Sequence, residues 1–207
     1  LYNRGNSKQV FFHDDVDYQR FHSLLYVANA TNGFVFREAK KMDVYDFERG
    51  EQLVAIEAYC LMPNHFHILL SPLQDGGVQR FMQKLATSYS MYFNLRYDRT
   101  GGLFEGRFKS QYVDSDEYLK YLFSYIHLNP LKLIQSDWKE VGLYNIPQAV
   151  SLLKTYEYSS LVDYLQWRNR EAKKILTATI AHDIFKTQDD WLKEMSDWLH
   201  LEHYLLS

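Results

Sequence analysis

Two histidines one residue apart, His65 and His67, lie in the stretch Met62-Pro63-Asn64-His65-Phe66-His67-Ile68-Leu69-Leu70. The stretch reads as a tight turn followed by a strand. Side chains alternate along a strand, so both imidazoles project from one face while Phe66, Ile68 and Leu70 fill the other. Two imidazoles on a rigid strand supply two legs of a divalent metal site. A pair of hydrogen-bonded histidines fits the same spacing, so a third ligand has to separate the two cases. Tyr125 and Asn129 are four residues apart in a helical stretch, one turn on the same side. If that side looks at the histidines, an amide oxygen and a phenol arrive together. Two histidines and an amide oxygen form an open site for Mg²⁺ or Mn²⁺, with positions left for a phosphate. The alternative for each tyrosine is an amphipathic side chain with its hydroxyl in water.

The elements that would position these groups follow from periodicity and punctuation. Leu1–Asn6 reads as the end of a strand entering a turn. Asp14-Asp15 caps a helix over about residues 16–30, with Phe21, Leu24, Leu25 and Ala28 as its apolar stripe. The charged stretch 34–51 reads as an excursion. Residues 52–61 form a second strand, and Met62-Pro63-Asn64 turns it back into the histidine strand as a hairpin. Residues 78–97 hold Phe81, Leu85, Tyr89 and Tyr92 at helical spacing, with no internal Gly or Pro. Residues 103–113 read as extended. Asp114-Ser115-Asp116-Glu117 starts a helix that runs to Asn129 and stops at Pro130. The order is strand, helix, strand, strand, helix, strand. It predicts an α+β fold, a ferredoxin-like antiparallel sheet (βαββαβ) with a following helix. A helical C-terminal extension is expected over 134–207 beside a main domain over 1–133.

Composition narrows the class. The chain has 207 residues, 46% of them apolar, which suits one domain with a proper core. Its 17 tyrosines suit surfaces on which bases stack. Cys60 is the single cysteine, so no internal disulfide or multi-cysteine zinc site forms, and its apolar surroundings read as packing. No secretory signal or apolar run of spanning length is visible, and a cytoplasmic protein without a membrane segment is expected. With Leu at position 1, the native start is expected upstream. Net charge is −3, but Val78–Ser110 holds Arg80, Lys84, Arg96, Arg99, Arg107 and Lys109 against Asp98 and Glu105. A basic middle and an acidic tail fit an anionic ligand held by the middle. His182, His200 and His203 read as surface residues, and Trp138, Trp167, Trp191 and Trp198 as parts of the helical tail.

Three motifs now converge. His65-Phe66-His67 resembles the HUH motif of histidine, bulky apolar residue, histidine. Gly106-Arg107-Phe108-Lys109-Ser110 and Tyr125-Ile126-His127-Leu128-Asn129-Pro130 resemble the strand and helix end of the REP-associated tyrosine transposases, members of the HUH single-tyrosine superfamily. Tyr2-Asn3-Arg4-Gly5-Asn6 is similar to that family's first strand. The resemblance covers about residues 1–135, and the excursion at 34–51 and the long tail depart from the family core. It implies a metal-dependent enzyme that cuts and rejoins single-stranded or hairpin DNA near repetitive palindromic elements. His65, His67 and Asn129 would hold Mg²⁺ or Mn²⁺, and Tyr125 would be the nucleophile, with Tyr118 and Tyr121 as rivals. The product would be a 5′-phosphotyrosine and a free 3′-OH. Ligation needs neutral imidazole, so activity is expected to fall below about pH 6. Arg4, Arg107 and Lys109 would contact the DNA, the last two facing one way along a strand. Phe104 and Phe108, or Tyr89 and Tyr92, are candidates to stack on bases, with core packing as the alternative. The active unit would be a monomer or a homodimer that exchanges the tyrosine helix. The alternatives are a hairpin-binding protein without turnover and a rolling-circle initiator or relaxase of the same superfamily.

Overall fold

The computed structural model describes residues 1–33, 43–166, 168–177 and 179–199, without the side chains of 182, 198 and 199. The expectations for 34–42, Trp167, Trp198, His182, His200 and His203 fall outside the described residues or side chains.

Three strands, β1 (Tyr2–Arg4), β2 (Val54–Met62) and β3 (His65–Pro72), form an antiparallel sheet in the order β1-β3-β2. Pro63 and Asn64 make the β2–β3 turn, and the chain before α1 clamps it. The Pro63 carbonyl accepts from the amides of Phe11 and Phe12, and the Asn64 carbonyl from that of Gly5. A proline suits this position because only its carbonyl is needed there.

Helix α1 (Asp15–Val27) starts at Asp14, whose carboxylate accepts from the amides of Val16 and Asp17. Helix α2 (Gly77–Arg96) starts where a Cβ on Gly77 would meet the Leu53 carbonyl oxygen at 2.3 Å, so only glycine lets the helix approach β2 so closely. The two helices are locked by Asp17, which is fully buried and accepts from Tyr92 Oη, Tyr97 Oη and Arg96 Nη1 at 2.7–2.8 Å. Their apolar faces, Phe21 and Leu25 from α1 and Phe81, Leu85 and Tyr89 from α2, pack on Ile56, Tyr59, Phe66 and Ile68.

The opposite sheet face carries Ala58, Cys60, Met62 and Leu69 and is covered by α3 (Asp116–His127) through Leu119, Phe123 and Ile126. Ser115 caps α3 by accepting from the Tyr118 amide, and Asp116 and Glu117 occupy its first turn. Because both faces are covered, all nine β2 residues are buried.

The C-terminal segments are helical as expected: α4 (Trp138–Val141), α5 (Ile146–Thr155), α6 (Leu161–Tyr164), α7 (Ala181–Ile184) and α8 (Gln188–Leu199). They share the second core, to which Trp138, Leu153, Phe185 and Trp191 contribute. Tyr158–Ser160 lie along the outer side of β2, with Leu61 N bonded to Tyr158 O and Ser160 N to Tyr59 O. A bulge at Glu57 turns its carboxylate toward the tail, where it accepts from Thr179 Oγ1, Ile180 N and Ala181 N.

One sequence expectation is corrected here. Residues 103–113 form no strand; beside β1 they make only isolated bridges, Gly5 to Phe104 and Tyr2 to Lys109. Gly106, at φ +70°, kinks the chain between the bridges, so Leu103–Lys109 never becomes a continuous ladder. Helix α3 ends at His127, before Pro130, in line with the expected stop. Asn129–Leu133 is a 3₁₀ turn with Pro130 near its start, where a missing N–H costs nothing.

Asn29 ties α1 to β2: its Oδ1 accepts from the amides of Leu53 and Val54 and its Nδ2 donates to Val54 O. Asn29→Ala strands these buried backbone groups. A loss of roughly 3 kcal/mol is expected in urea unfolding, and an unchanged midpoint would remove this role.

Candidate active site

Strand register brings the candidate residues into two rows. Lys109, Tyr2, His67 and Cys60 are successive cross-strand partners, as are Arg4, His65 and Met62. Directly opposed residues share a face, so these side chains point to the side covered by α3. The His65 and His67 rings lie 5.2 Å apart and nearly perpendicular. The Tyr125 ring stands edge-on to His67 at 5.3 Å. Tyr121 and Tyr118 follow as a stacked series leading away from it, at 6.0 and 5.9 Å. Of the three tyrosines, Tyr125 is the one whose ring meets a site histidine.

The donor set fits a divalent cation. His65 Nδ1 lies 2.7 Å from Asn64 Oδ1, which fixes the proton on Nδ1 and leaves the Nε2 lone pair free. Asn129 Nδ2 donates to the Tyr125 carbonyl at 2.9 Å, and its buried Oδ1 has no hydrogen-bond partner. An unpartnered buried amide oxygen near His65 has the chemistry of a ligand to a hard divalent cation. Among the described residues no cluster of three His, Cys, Asp or Glu side chains exists, so an amide oxygen would have to complete the set.

Burial keeps both imidazoles neutral. Desolvation first, and Lys132 second, push His65 down to about 4; the Asn129 amide opposes this. Desolvation and then His65 push His67 down to about 3. The expected protonation below about pH 6 is therefore corrected: both rings hold their ligand form well below it.

The proposed DNA contacts are placed unevenly. Arg4 faces the site, but its guanidinium is engaged by both carboxylate oxygens of Glu105. Lys109 Nζ lies 5.9 Å from the Tyr2 ring centre, and Tyr2 in turn lies against His67. Arg107 is exposed in the kinked segment beyond Gly106, so it does not share a strand face with Lys109 as expected. Tyr89 is fully buried and bonded to the Phe11 carbonyl, and Phe104 and Phe108 pack on the first core.

Sequence reasoning missed two residues here. The ammonium of Lys139 lies 4.1 Å from the Tyr125 ring centre and that of Lys132 lies 5.6 Å from it. Lys132 lies in the 3₁₀ turn after α3, where helical spacing from Tyr125 does not apply. Lys139 comes from α4, and no local pattern points to it.

Residues 44–129 match the family model described as Transposase IS200 like. No curated protein and no solved structure matches the chain. The matched segment contains β2, β3, α2 and α3, and with them His65, His67, Tyr125 and Asn129. It ends at Asn129, and over residues 44–129 the chain is similar to the IS200-like transposase family.

Proposed function

We propose that this protein is a divalent-metal-dependent transposase that cuts single-stranded DNA beside hairpins, of the kind repetitive palindromic elements form, and rejoins it through a phosphotyrosine on Tyr125. The match to the IS200-like transposase model over residues 44–129 supports the general activity, DNA cleavage and strand transfer. The observation that carries the finer reading is the Tyr125 ring packed edge-on at 5.3 Å against His67.

In the proposed step, the phenolic oxygen of Tyr125 bonds to phosphorus while the bond from phosphorus to the 3′ oxygen breaks. The phenolic proton is released, and the departing 3′ oxygen gains one, leaving a 5′-phosphotyrosine and a free 3′-OH. One phosphodiester is exchanged for another, so a 3′-OH from a second strand can reverse the step without ATP. A divalent cation held by His65, His67 and Asn129 Oδ1 would draw charge from the non-bridging oxygens. Asn129, through its bond to the Tyr125 carbonyl, fixes the helix end from which the phenol projects. Asn64 holds the His65 ring in place. The four-stranded ferredoxin-like layout of the family is compatible with the bridges beside β1. The proposed compartment is the cytoplasm. Among the described residues no helix is long and apolar enough to cross a membrane.

The test is a denaturing gel of wild-type protein with labelled, hairpin-bearing single strands and Mg²⁺ or Mn²⁺. A protein–DNA adduct that survives detergent and is absent with EDTA is expected. Binding without any adduct, across varied hairpins and both metals, would transfer the protein to the hairpin-binding class.

A further inference from the structure

We propose that Lys132 and Lys139 form a phosphate clamp beside Tyr125, holding the backbone of a single-stranded nucleic acid at the nucleophile. The inference deepens the function proposed above and rests on its choice of Tyr125.

The two ammoniums converge on one phenol ring, at 4.1 and 5.6 Å from its centre. They come from separate elements, the 3₁₀ turn Asn129–Leu133 and helix α4. Each lysine is preceded by a core anchor: Leu131 is fully buried and Trp138 nearly so. The loop between them is braced by Gln135, which donates to the Gly142 carbonyl and accepts from the Tyr144 amide. The backbone under both lysines is thus fixed by packing and hydrogen bonds.

The two ammoniums repel each other, and Lys132 acts on Lys139 more strongly than the opposing Glu140 carboxylate does. Two like charges face the same ring beside two buried neutral imidazoles, and both ammoniums act on His67 in the sense of positive charge. Among the described residues, none of the ion pairs involves Lys132. A cation over a tyrosine ring is a mild attraction, and it does not require a second cation on the same ring. An anion between the two ammoniums relieves their mutual repulsion. Tyr125 can reach phosphorus only when non-bridging phosphate oxygens come this close, so the anion with the right address is a phosphodiester. Both lysines lie beyond the matched segment 44–129, so this part of the site is a contribution of the C-terminal region.

The test uses the Tyr125→Phe protein with EDTA, so that binding is read without turnover. Affinity for a fluorescent hairpin-bearing single strand is measured by anisotropy across a NaCl series. Each lost lysine–phosphate contact lowers the salt slope by about 0.7. Adding Lys132→Gln and Lys139→Gln should lower it by about 1.4 and weaken binding roughly tenfold at low salt. Lys132→Arg with Lys139→Arg should restore the slope. Lys84→Gln, on α2 across the sheet, should leave it unchanged. An unchanged slope in the double Gln variant overturns the clamp, as does a starting protein that does not bind the strand. If the slope falls as expected but protein with Tyr125 intact forms no adduct, the clamp stands and the enzymatic reading falls.

Discussion

Phenylalanine at position 125 is expected to abolish covalent adduct formation, lowering its rate at least about a thousand-fold, because the nucleophilic oxygen is removed outright. The change removes one oxygen and keeps the ring. The edge-on contact with His67, the stacking on Tyr121 and the two lysine contacts all involve the ring, so the fold and DNA binding should persist. Tyr121→Phe and Tyr118→Phe should retain adduct formation within a few-fold, since neither ring meets a site histidine. The three variants belong on one gel with wild type. An adduct of normal yield from Tyr125→Phe would sink the assignment, and its loss in Tyr121→Phe instead would move the role one turn back along α3.

The second large effect is on stability in mild acid. His22 and His127 are buried, and each holds one ring nitrogen without a hydrogen-bond partner, Nε2 of His22 and Nδ1 of His127. Desolvation, with Arg170 second, pushes His22 down to about 3, and desolvation alone pushes His127 to about 3. An unfolded histidine titrates near 6.5. Between those values the unfolded chain binds more protons than the folded one. The stabilisation is therefore fully present above about pH 6.5 and is lost as pH falls, at up to about 1.4 kcal/mol per pH unit for each histidine. By about pH 4.5 the two together remove roughly 5 kcal/mol, a sum comparable to the stability of a whole domain. His65 and His67 are lowered in the same sense. Urea midpoints measured from pH 7 downward should drop steeply below about pH 6.5. His22→Gln, which cannot titrate, should flatten the curve. A midpoint constant down to pH 4.5 would show that these rings are not held neutral in the fold.

The parts of the fold written in local sequence were legible. Asp14 and Ser115 cap the helices they were expected to begin, and the long stripe of Phe81, Leu85 and Tyr89 is the buried face of α2. The hairpin and the shared face of His65 and His67 follow from the two-residue period. The fourth extended segment failed for a local reason, a single glycine. Gly106 reads as one more small residue in a strand, yet its positive φ breaks the ladder. Arg4 read as free charge because its partner, Glu105, is about a hundred residues away. Lys139 and the seat of Ser160 against His127, 2.8 Å from Oγ to Nε2, depend on tertiary contacts that no periodicity encodes.

The strip Tyr158–Ser160 along β2 sets where this protein can be cut. Without it, β2 would end the sheet with bare N–H and C=O groups, a template for pairing with another chain. Removing the tail would also uncover Ala58, Cys60, Met62 and Leu69 where α3 does not shield them. A fragment ending at residue 129 would carry His65, His67, Tyr125 and Asn129 but neither Lys132 nor Lys139, and would be prone to aggregate. The C-terminal region therefore shields the β2 edge and the second core. Expression of the matched segment alone would report on edge pairing before it reported on DNA.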